Sequence, residues 1–260
     1  MERISFQTSI GGDQLKHSAL YRRANESLIV FLHGFGASNA CFEKAFEHER
    51  LNEFSLLAID FVGFGESAKP EDFVCSMENL AKGCDAVLAQ IDYENLHIAA
   101  HSMGGAVGLL LGESVLRRIR SFANFEGNLV GDDCFLTRKI STLPPEKFEE
   151  KMFPKLVAKF SGNAIFQFEK SSPGALHSGA KSLVAWSDSE KLLEKFGGLE
   201  CKTGYFLGER NREIAAVKRL QATTHIHKII TPISGHAMMT DNPEAFYAQL
   251  ADFIEDAPES

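Results

Sequence analysis

A serine surrounded by small residues is the strongest chemical feature of this sequence. Ser102 lies in the segment Ala99–Gly105, where an apolar run ends and a stretch rich in glycine and alanine begins. A serine on a sharp turn from strand to helix is held clear of the sheet, and its strained backbone requires small neighbours. Ala100 and Gly104 meet that requirement, although Ala100 stands where the common pattern G-x-S-x-G has glycine. The pattern favours a nucleophilic serine over one that only caps a helix.

A second segment could stabilise the negative charge that forms when such a serine attacks a carbonyl. Residues 33–36 read His-Gly-Phe-Gly and directly follow the apolar run Leu28–Leu32. A backbone N–H presented there, together with that of the residue after the nucleophile, can form an oxyanion hole. We therefore assign the amides of Phe35 and Met103 to this role. A plain glycine turn would be an equal interpretation if Ser102 were absent.

The residue suited to activate the serine lies near the end of the chain. Residues 234–236 read Ser-Gly-His and fall between the last predicted strand and the last predicted helix. A histidine on that loop can fold back over Ser102 and act as general base. The alternative, a solvated loop residue, is less favoured because of this position. We predict His236 as the base.

Taken together, these segments resemble the α/β-hydrolase superfamily. The resemblance covers nearly the whole chain except its middle, and it is carried by the following stretches: 33–36, 60–67 (Asp-Phe-Val-Gly-Phe-Gly-Glu-Ser), 100–105, 235–236 and the Asn-Pro at 242–243. It implies a mostly parallel, twisted sheet with helices on both faces and a helical cap. It also implies a nucleophile at Ser102, a base at His236 and an acid between them in chain order.

The acid is where the sequence departs from the family pattern. Members commonly carry G-E-x-D after the penultimate strand, with the aspartate as acid, whereas residues 208–211 here read Gly-Glu-Arg-Asn. Asn211 is neutral and cannot balance an imidazolium charge. A second location known in the family follows the strand before the cap, and there Glu126 follows an apolar run beside Gly127. We predict Glu126 as the acid.

Other readings of the carboxylates stay open. Glu209 is the first alternative acid, and Glu213 and Asp241 are weaker ones. Glu126 could instead form an ion pair that anchors the cap. Haloalkane dehalogenases, which use the second acid location, have an aspartate nucleophile. Because this chain has Ser102, an alkyl-ester intermediate on a carboxylate is excluded, and dehalogenation with it.

The pattern of apolar runs predicts an α/β architecture. Buried strands are predicted at 28–32, 54–59, 96–100, 121–125, 204–207 and 225–230, helices at 38–49, 75–91, 103–118, near 212–222 and at 243–255, and a hairpin at 1–10 and 17–22. This alternation favours a mostly parallel sheet with helices on both faces. Residues 60–67 are expected to form a tight turn bordering the pocket.

The middle of the chain breaks the alternation. From about 128 to 196 the sequence is helix-like and has no convincing strand, so we predict a core domain of 1–127 and 197–260 and a helical cap of 128–196. Six phenylalanines fall within 34 residues of the cap: Phe135, Phe148, Phe153, Phe160, Phe166 and Phe168. Some should form the core of the cap, and others should line an apolar acyl or aromatic pocket.

Composition excludes several classes of protein. The chain has 260 residues, 44% of them hydrophobic, and a net charge of −8, so nucleic-acid binding and anionic membranes are disfavoured. The 5 cysteines are widely spaced, which argues against a disulfide framework or a zinc ribbon. His225 and His227, expected on one strand face, lack a third ligand, so neither metal nor cofactor is predicted. Without an apolar leader or an 18-residue apolar run, the expected protein is soluble and cytoplasmic.

These features converge on hydrolysis through an acyl-enzyme. The expected substrate is a small carboxylic ester with an apolar acyl or aromatic group, and the sequence leaves the oligomeric state open. A thioester or a C–C bond could be cleaved by the same residues. A ligand-binding protein without catalysis is an alternative of another class, but its usual sign is loss of the serine or histidine, and Ser102 and His236 are both present.

Overall fold

The strands of this protein form one mixed sheet. The structure, a computed structural model, describes residues 1–220 and 225–257. Within them, eight strands lie in the order β1-β2-β4-β3-β5-β6-β7-β8. Their bounds are β1 Glu2–Ile10, β2 Asp13–Arg22, β3 Ser27–Leu32, β4 Ser55–Ile59, β5 Asn95–His101, β6 Ile119–Phe125, β7 Lys202–Gly208 and β8 His227–Thr231. β1 and β2 pair antiparallel with each other, β2 pairs antiparallel with β4, and the remaining pairs are parallel.

The burial of each strand follows from its place in the sheet. The continuous apolar runs of β3 and β4 lie in the middle of the sheet, where side chains on both faces are buried. The edge strand β1 instead alternates exposed and buried residues along its second half. Two separate apolar clusters cover the two faces of the sheet, one containing Val30 and the other containing Phe31. This arrangement is the α/β-hydrolase fold that the sequence predicts.

Helices surround the sheet and fill the segment between β6 and β7. Their bounds are α1 Met77–Leu88, α2 Met103–Gly108, α3 Glu113–Leu116, α4 Phe135–Ser141, α5 Pro145–Lys147, α6 Phe153–Phe160, α7 Pro173–Asp188, α8 Lys191–Gly197, α9 Ala215–Arg219, α10 Met238–Asp241 and α11 Pro243–Glu255. Short 3₁₀ turns occur at Asn39–Phe46, Glu49–Leu51, Gly131–Asp133, Phe168–Lys170 and Glu209–Asn211, and a π turn at Phe148–Met152. None of the described helices combines the length and apolar character needed to cross a bilayer.

Several predicted elements differ from those observed. The helix expected over 103–118 is broken into α2 and α3, because Gly112 has an extended ψ and its amide donates to the Asp85 carboxylate at 2.9 Å. The helix expected over 38–49 is a 3₁₀ turn. The helix near 212–222 is α9, and residues 221–222 lie outside the described residues.

The two histidines predicted to share a strand face do not do so. β8 begins at His227, so His225 precedes the strand, and its ring contacts the carbonyl of Gly197 at 3.1 Å. The ring of His227 packs edge-on against Phe253. In the described part of the chain, no group of three His, Cys, Asp or Glu side chains is placed to hold a metal ion.

Residues 128–196, here called the helical insertion, contain α4 to α7, all but the last residue of α8, and no strand in this fully described segment. Its long helix α7 is bonded to the core beside α1. The Met77 amide donates to Ser182 Oγ at 3.0 Å, and Trp186 Nε1 donates to Glu78 Oε1 at 2.7 Å. The insertion therefore has a fixed contact with the core on this side.

Candidate active site

Ser102 occupies the turn between β5 and α2 in a strained conformation. Its φ is 52° and its ψ is −120°, a region that a non-glycine residue adopts at a cost on the order of 1–3 kcal/mol. Its amide donates to the Phe125 carbonyl at 3.0 Å, and its carbonyl accepts from the Gly105 amide at 2.9 Å. A Cβ on Gly104 would overlap the Leu32 carbonyl oxygen, which explains the requirement for a small residue there.

His236 lies on the loop between β8 and α10 and contacts a buried carboxylate. Its Nδ1 is 2.8 Å from Oε2 of Glu126, whose side chain is only 3% exposed, whereas the imidazole is 40% exposed. Because a carboxylate accepts, Nδ1 carries the proton, which leaves Nε2 as the basic nitrogen. This is the relationship that a triad base and its acid require.

A second histidine holds the backbone of that loop. Nε2 of His101 donates to the carbonyl of His236 at 2.8 Å, and the two rings lie 4.6 Å apart. Burial, and then the charge of His236, lower the pKa of His101 well below its ordinary value. His101 is therefore neutral. It holds the loop of His236 in place and does not itself take up a proton near pH 7.

Glu126 follows β6 with a φ of 44°, and its amide donates to the Phe206 carbonyl at 2.9 Å. The Gly208 amide donates to Oε1 at 2.9 Å, and Asn211 Nδ2 donates to Oε1 at 3.0 Å and to Oε2 at 2.8 Å. Together with His236, three groups thus donate to this carboxylate, and all of them belong to the core rather than to the helical insertion. The contacts of Glu126 do not match those of an ion pair that anchors a cap.

The alternative acids have other partners. Glu209 accepts from the Ile233 amide at 3.0 Å, Asp241 pairs with Arg210 at 2.6 Å, and Glu213 lies 3.6 Å from the Lys218 ammonium. Among the described residues, Glu126 is the carboxylate bonded to the His236 ring.

Asn211 has a role that the sequence reasoning missed. That reasoning treated it only as an acid position lacking a charge, whereas the structure places its amide on the carboxylate of Glu126. The available signal was its polar, hydrogen-bonding side chain at the usual acid position. An amide can donate to a carboxylate where a second carboxylate would repel it.

The amides assigned to the oxyanion hole lie on two segments that converge at Ser102. An ideal Cβ built on Gly34 would lie 3.1 Å from the Cβ of Ser102, so the loop after β3 passes directly beside the serine. Neither the Phe35 amide nor the Met103 amide has a hydrogen-bond acceptor among the described residues. Both amides therefore remain available to an acceptor from outside the chain.

His33 orients the peptide group that contains the Phe35 amide. Its Nε2 accepts from the Phe61 amide at 3.1 Å, so the proton is on Nδ1, which donates to the Gly34 carbonyl at 2.9 Å. That carbonyl and the Phe35 N–H belong to one planar peptide, and fixing one fixes the other. Burial lowers the pKa of His33 to about 4, so the ring is neutral near pH 7.

A cavity of about 650 Å³ lies between this site and the helical insertion, and Ser102, Glu126 and His236 all line it. Its apolar lining consists of Phe35, Phe135, Leu136, Phe166, Leu183, Ile214 and Ala215. Phe135 is 78% exposed and lies at the cavity, whereas Phe148 and Phe168 are fully buried. The phenylalanines of the insertion thus differ in their surroundings, with two on the cavity wall and others in the core.

Residues 60–67 do not line this cavity. Asp60 instead accepts from the amides of Asn39 at 2.7 Å and Glu66 at 2.9 Å, which ties the turn together. The expectation that this turn borders the pocket is not met, and the carboxylate of Asp60 instead joins the turn to the neighbouring segment Asn39–Phe46.

The fold and the arrangement of the site agree with sequence comparison. The profile of the alpha/beta hydrolase family matches residues 29–249, and the chain belongs to that family. The AB hydrolase superfamily protein YisY of Bacillus subtilis is 25% identical over 86% of this chain and 90% of its own length. A solved structure of a thermophilic esterase from Thermogutta terrifontis superposes with a TM-score of 0.71, at 18% identity, over 98% of each chain.

A shorter match has higher identity. The probable lysophospholipase BODYGUARD 4 of Arabidopsis thaliana is 38% identical over 85 residues, which are 32% of this chain. The match spans only 20% of the length of the Arabidopsis protein.

Proposed function

We propose that this protein is a serine hydrolase that cleaves a small carboxylic ester through an acyl-enzyme. The observation that carries the proposal is the 2.8 Å contact between His236 and the buried Glu126, on the same cavity as Ser102. The proposal is in keeping with the names of the Thermogutta esterase and the Arabidopsis relative.

In the first half of the reaction, Ser102 Oγ attacks the ester carbonyl and His236 Nε2 takes its proton. The carbonyl oxygen becomes an oxyanion, which the amides of Phe35 and Met103 stabilise. The C–O bond to the alcohol then breaks, and the alcohol leaves with the proton from His236. Glu126 holds the ring in its productive tautomer and balances the imidazolium charge.

In the second half, water attacks the acyl-enzyme and His236 takes a proton from it. The oxyanion forms again, the bond from the acyl carbon to Ser102 Oγ breaks, and the serine regains its proton from His236. The carboxylic acid leaves.

The cavity supports an apolar acyl or aromatic group. Its volume of about 650 Å³ suits a small molecule, and most of the surface that it exposes is apolar. Its cation, Arg210, is paired with Asp241 at 2.6 Å, so no unpaired cation in the described lining attracts a carboxylate substrate.

A fluorophosphonate probe and a set of p-nitrophenyl esters test the proposal together. The probe should label the parent protein at Ser102, and Ser102→Ala should be neither labelled nor active above a small residual rate. Esters of increasing acyl length, with matched thioesters alongside, identify the preferred bond. A parent protein that is neither labelled nor active on any substrate would favour a ligand-binding protein instead.

A further inference from the structure

The loop that carries the Phe35 amide is bonded to the helical insertion. We call residues 34–38 the oxyanion loop. The backbone amide of Gln167, in the insertion, donates to the Gly36 carbonyl at 2.7 Å. Ser38 Oγ donates to Oε1 of the same glutamine at 2.6 Å. Gln167 thus contacts the loop on the C-terminal side of Phe35 through both its backbone and its side chain.

The next residue of the insertion packs onto the same loop. Gly36 has a φ of 66°, and a Cβ at this position would overlap the ring of Phe168. The ring of Phe168 also meets the ring of Phe35 edge-on, with centroids 6.4 Å apart. Phe168 is fully buried, so its ring cannot move away without disturbing its neighbours. The loop is therefore confined on this face by an aromatic ring of the insertion.

The segment that makes these contacts is internally braced and reaches the cavity. Asn163 Oδ1 accepts from the amides of Ile165 and Phe166, each at 2.9 Å. The ring of Phe160 lies 5.0 Å from that of Phe166 and 5.3 Å from that of Phe168. Phe166 lines the cavity. The wall that would contact an acyl group is thus continuous with the residues that hold the oxyanion loop.

From these contacts we infer that Gln167 and Phe168 are positioning residues for the oxyanion hole, and that the insertion sets the orientation of the Phe35 amide. The inference rests on the proposed function, in which that amide stabilises the oxyanion. His33 holds the Gly34 carbonyl from the side of the sheet. Gln167 holds the Gly36 carbonyl from the side of the insertion. An N–H aimed at an oxyanion loses effect when it is displaced or freed to move.

This role predicts an effect on the transition state rather than on substrate binding. Gln167→Met keeps the size of the side chain and removes the acceptor for Ser38. We expect kcat to fall roughly 3- to 10-fold, the loss of about one hydrogen bond, with KM changed little. In the parent, a longer acyl group that contacts Phe166 is expected to raise kcat. This increase should be smaller in Gln167→Met, because the oxyanion loop is no longer held in place.

A matched control removes a different hydrogen bond between core and insertion. Ser182→Ala deletes the acceptor of the Met77 amide, which lies beside α1 and away from the oxyanion loop. It should lower the melting temperature about as much as Gln167→Met and leave kcat unchanged. The double variant Ser38→Ala/Gln167→Met tests the pair directly. If the two side chains act through their mutual bond, the double variant loses less than the product of the single losses.

The rate of Ser102 labelling by a fluorophosphonate provides a readout independent of ester turnover, because the phosphoryl oxygen of the probe occupies the same oxyanion hole. Labelling should slow in Gln167→Met by a factor similar to kcat and stay at the parent rate in Ser182→Ala. The inference would be overturned, and the proposed function would stand, if Gln167→Met turned over and was labelled as fast as the parent. An equal loss of rate in Ser182→Ala would have the same meaning. A parent protein that is neither labelled nor active would overturn the proposed function, and the inference with it.

Discussion

Asn211 Nδ2 donates hydrogen bonds to both carboxylate oxygens of Glu126, at 3.0 Å and 2.8 Å. A neutral amide at the position where many family members carry the acid thus supports a carboxylate on the neighbouring strand. The Gly208 amide adds a third donor contact at 2.9 Å. These donors hold the carboxylate of Glu126 in a fixed orientation against Nδ1 of His236.

Removing the charge of Glu126 should impair catalysis far more than folding. We expect Glu126→Gln to lower kcat on the order of 10⁴-fold, as for the acid of a serine triad, while KM changes much less. Glu209→Gln is the matched control, because Glu209 bonds the Ile233 amide and not His236. Steady-state kinetics and melting temperatures of both variants show whether the loss lies in catalysis or in folding. A Glu126→Gln protein with a lower melting temperature and near-parent kcat would reduce Glu126 to a structural role.

Asn211 should be sensitive both to loss of its amide and to gain of a charge. Asn211→Leu should lower kcat by roughly tenfold, since one supporting donor is lost. Asn211→Asp places a second carboxylate against Glu126, and the added negative charge should favour the protonated imidazole. The acid limb of the pH–rate profile should therefore move to higher pH.

The double variant Glu126→Gln/Asn211→Asp exchanges the carboxylate and the amide. It should recover part of the activity lost in Glu126→Gln, because a carboxylate is restored beside the base. An unshifted profile in Asn211→Asp, together with no recovery in the double variant, would show that the contact has no catalytic consequence.

The phenylalanines of the insertion should separate into two groups. Phe148→Ala removes a ring that is 1% exposed and should lower the free energy of unfolding by about 3–5 kcal/mol. Phe135→Ala removes a ring that is 78% exposed and lines the cavity, so unfolding should change by no more than about 0.5 kcal/mol. Its acyl-length preference should change instead. Chemical denaturation and an ester series measure the two effects, and identical behaviour of both variants would contradict the division.

Buried histidines should make the fold sensitive to acid. Burial, with a further contribution from Arg120, lowers the pKa of His97 to about 4, against 6.5 for an ordinary histidine. The unfolded chain therefore binds a proton before the folded one does, and stability falls as the pH drops from about 6.5 towards 4.

His97→Gln cannot take up this proton and keeps a polar group near Ser121 Oγ, which lies 2.8 Å from the ring in the parent. Between neutral pH and about pH 5, the free energy of unfolding should therefore fall by about 2 kcal/mol less in His97→Gln than in the parent. Exposed His227→Gln is the control. Denaturation measured between about pH 7.5 and 4.5 checks this, and parallel pH dependences of parent and His97→Gln would refute it.

The sequence allowed most of the sheet to be predicted because the parallel strands are buried on both faces. Runs such as Leu28–Leu32 admit few other interpretations. The break between α2 and α3 was not predictable, because it depends on the Asp85 carboxylate, which reaches Gly112 from another helix. Local periodicity carries no information about such a contact.

In the candidate site, too, residues within local sequence patterns could be predicted and contacts between distant residues could not. Ser102 and His236 lie in local patterns that their neighbours define, and the prediction of Glu126 came from the second acid location that the family resemblance implies. The donor role of Asn211 and the contact of Gln167 with the oxyanion loop join residues far apart in sequence. Such pairs become visible only when the strands and the insertion are placed in space.

Glu126 follows β6, the strand beside β5, which precedes Ser102. The segment after β7 is therefore able to vary in sequence without replacing this carboxylate. Residues 213–215 line the cavity, whereas the carboxylate bonded to the His236 ring belongs to Glu126. Length and side-chain variation at 213–215 could alter which substrates fit without touching the acid, as long as Asn211 is retained. Natural or laboratory evolution can therefore change substrate selectivity at residues 213–215 while Ser102, His236 and Glu126 stay the same.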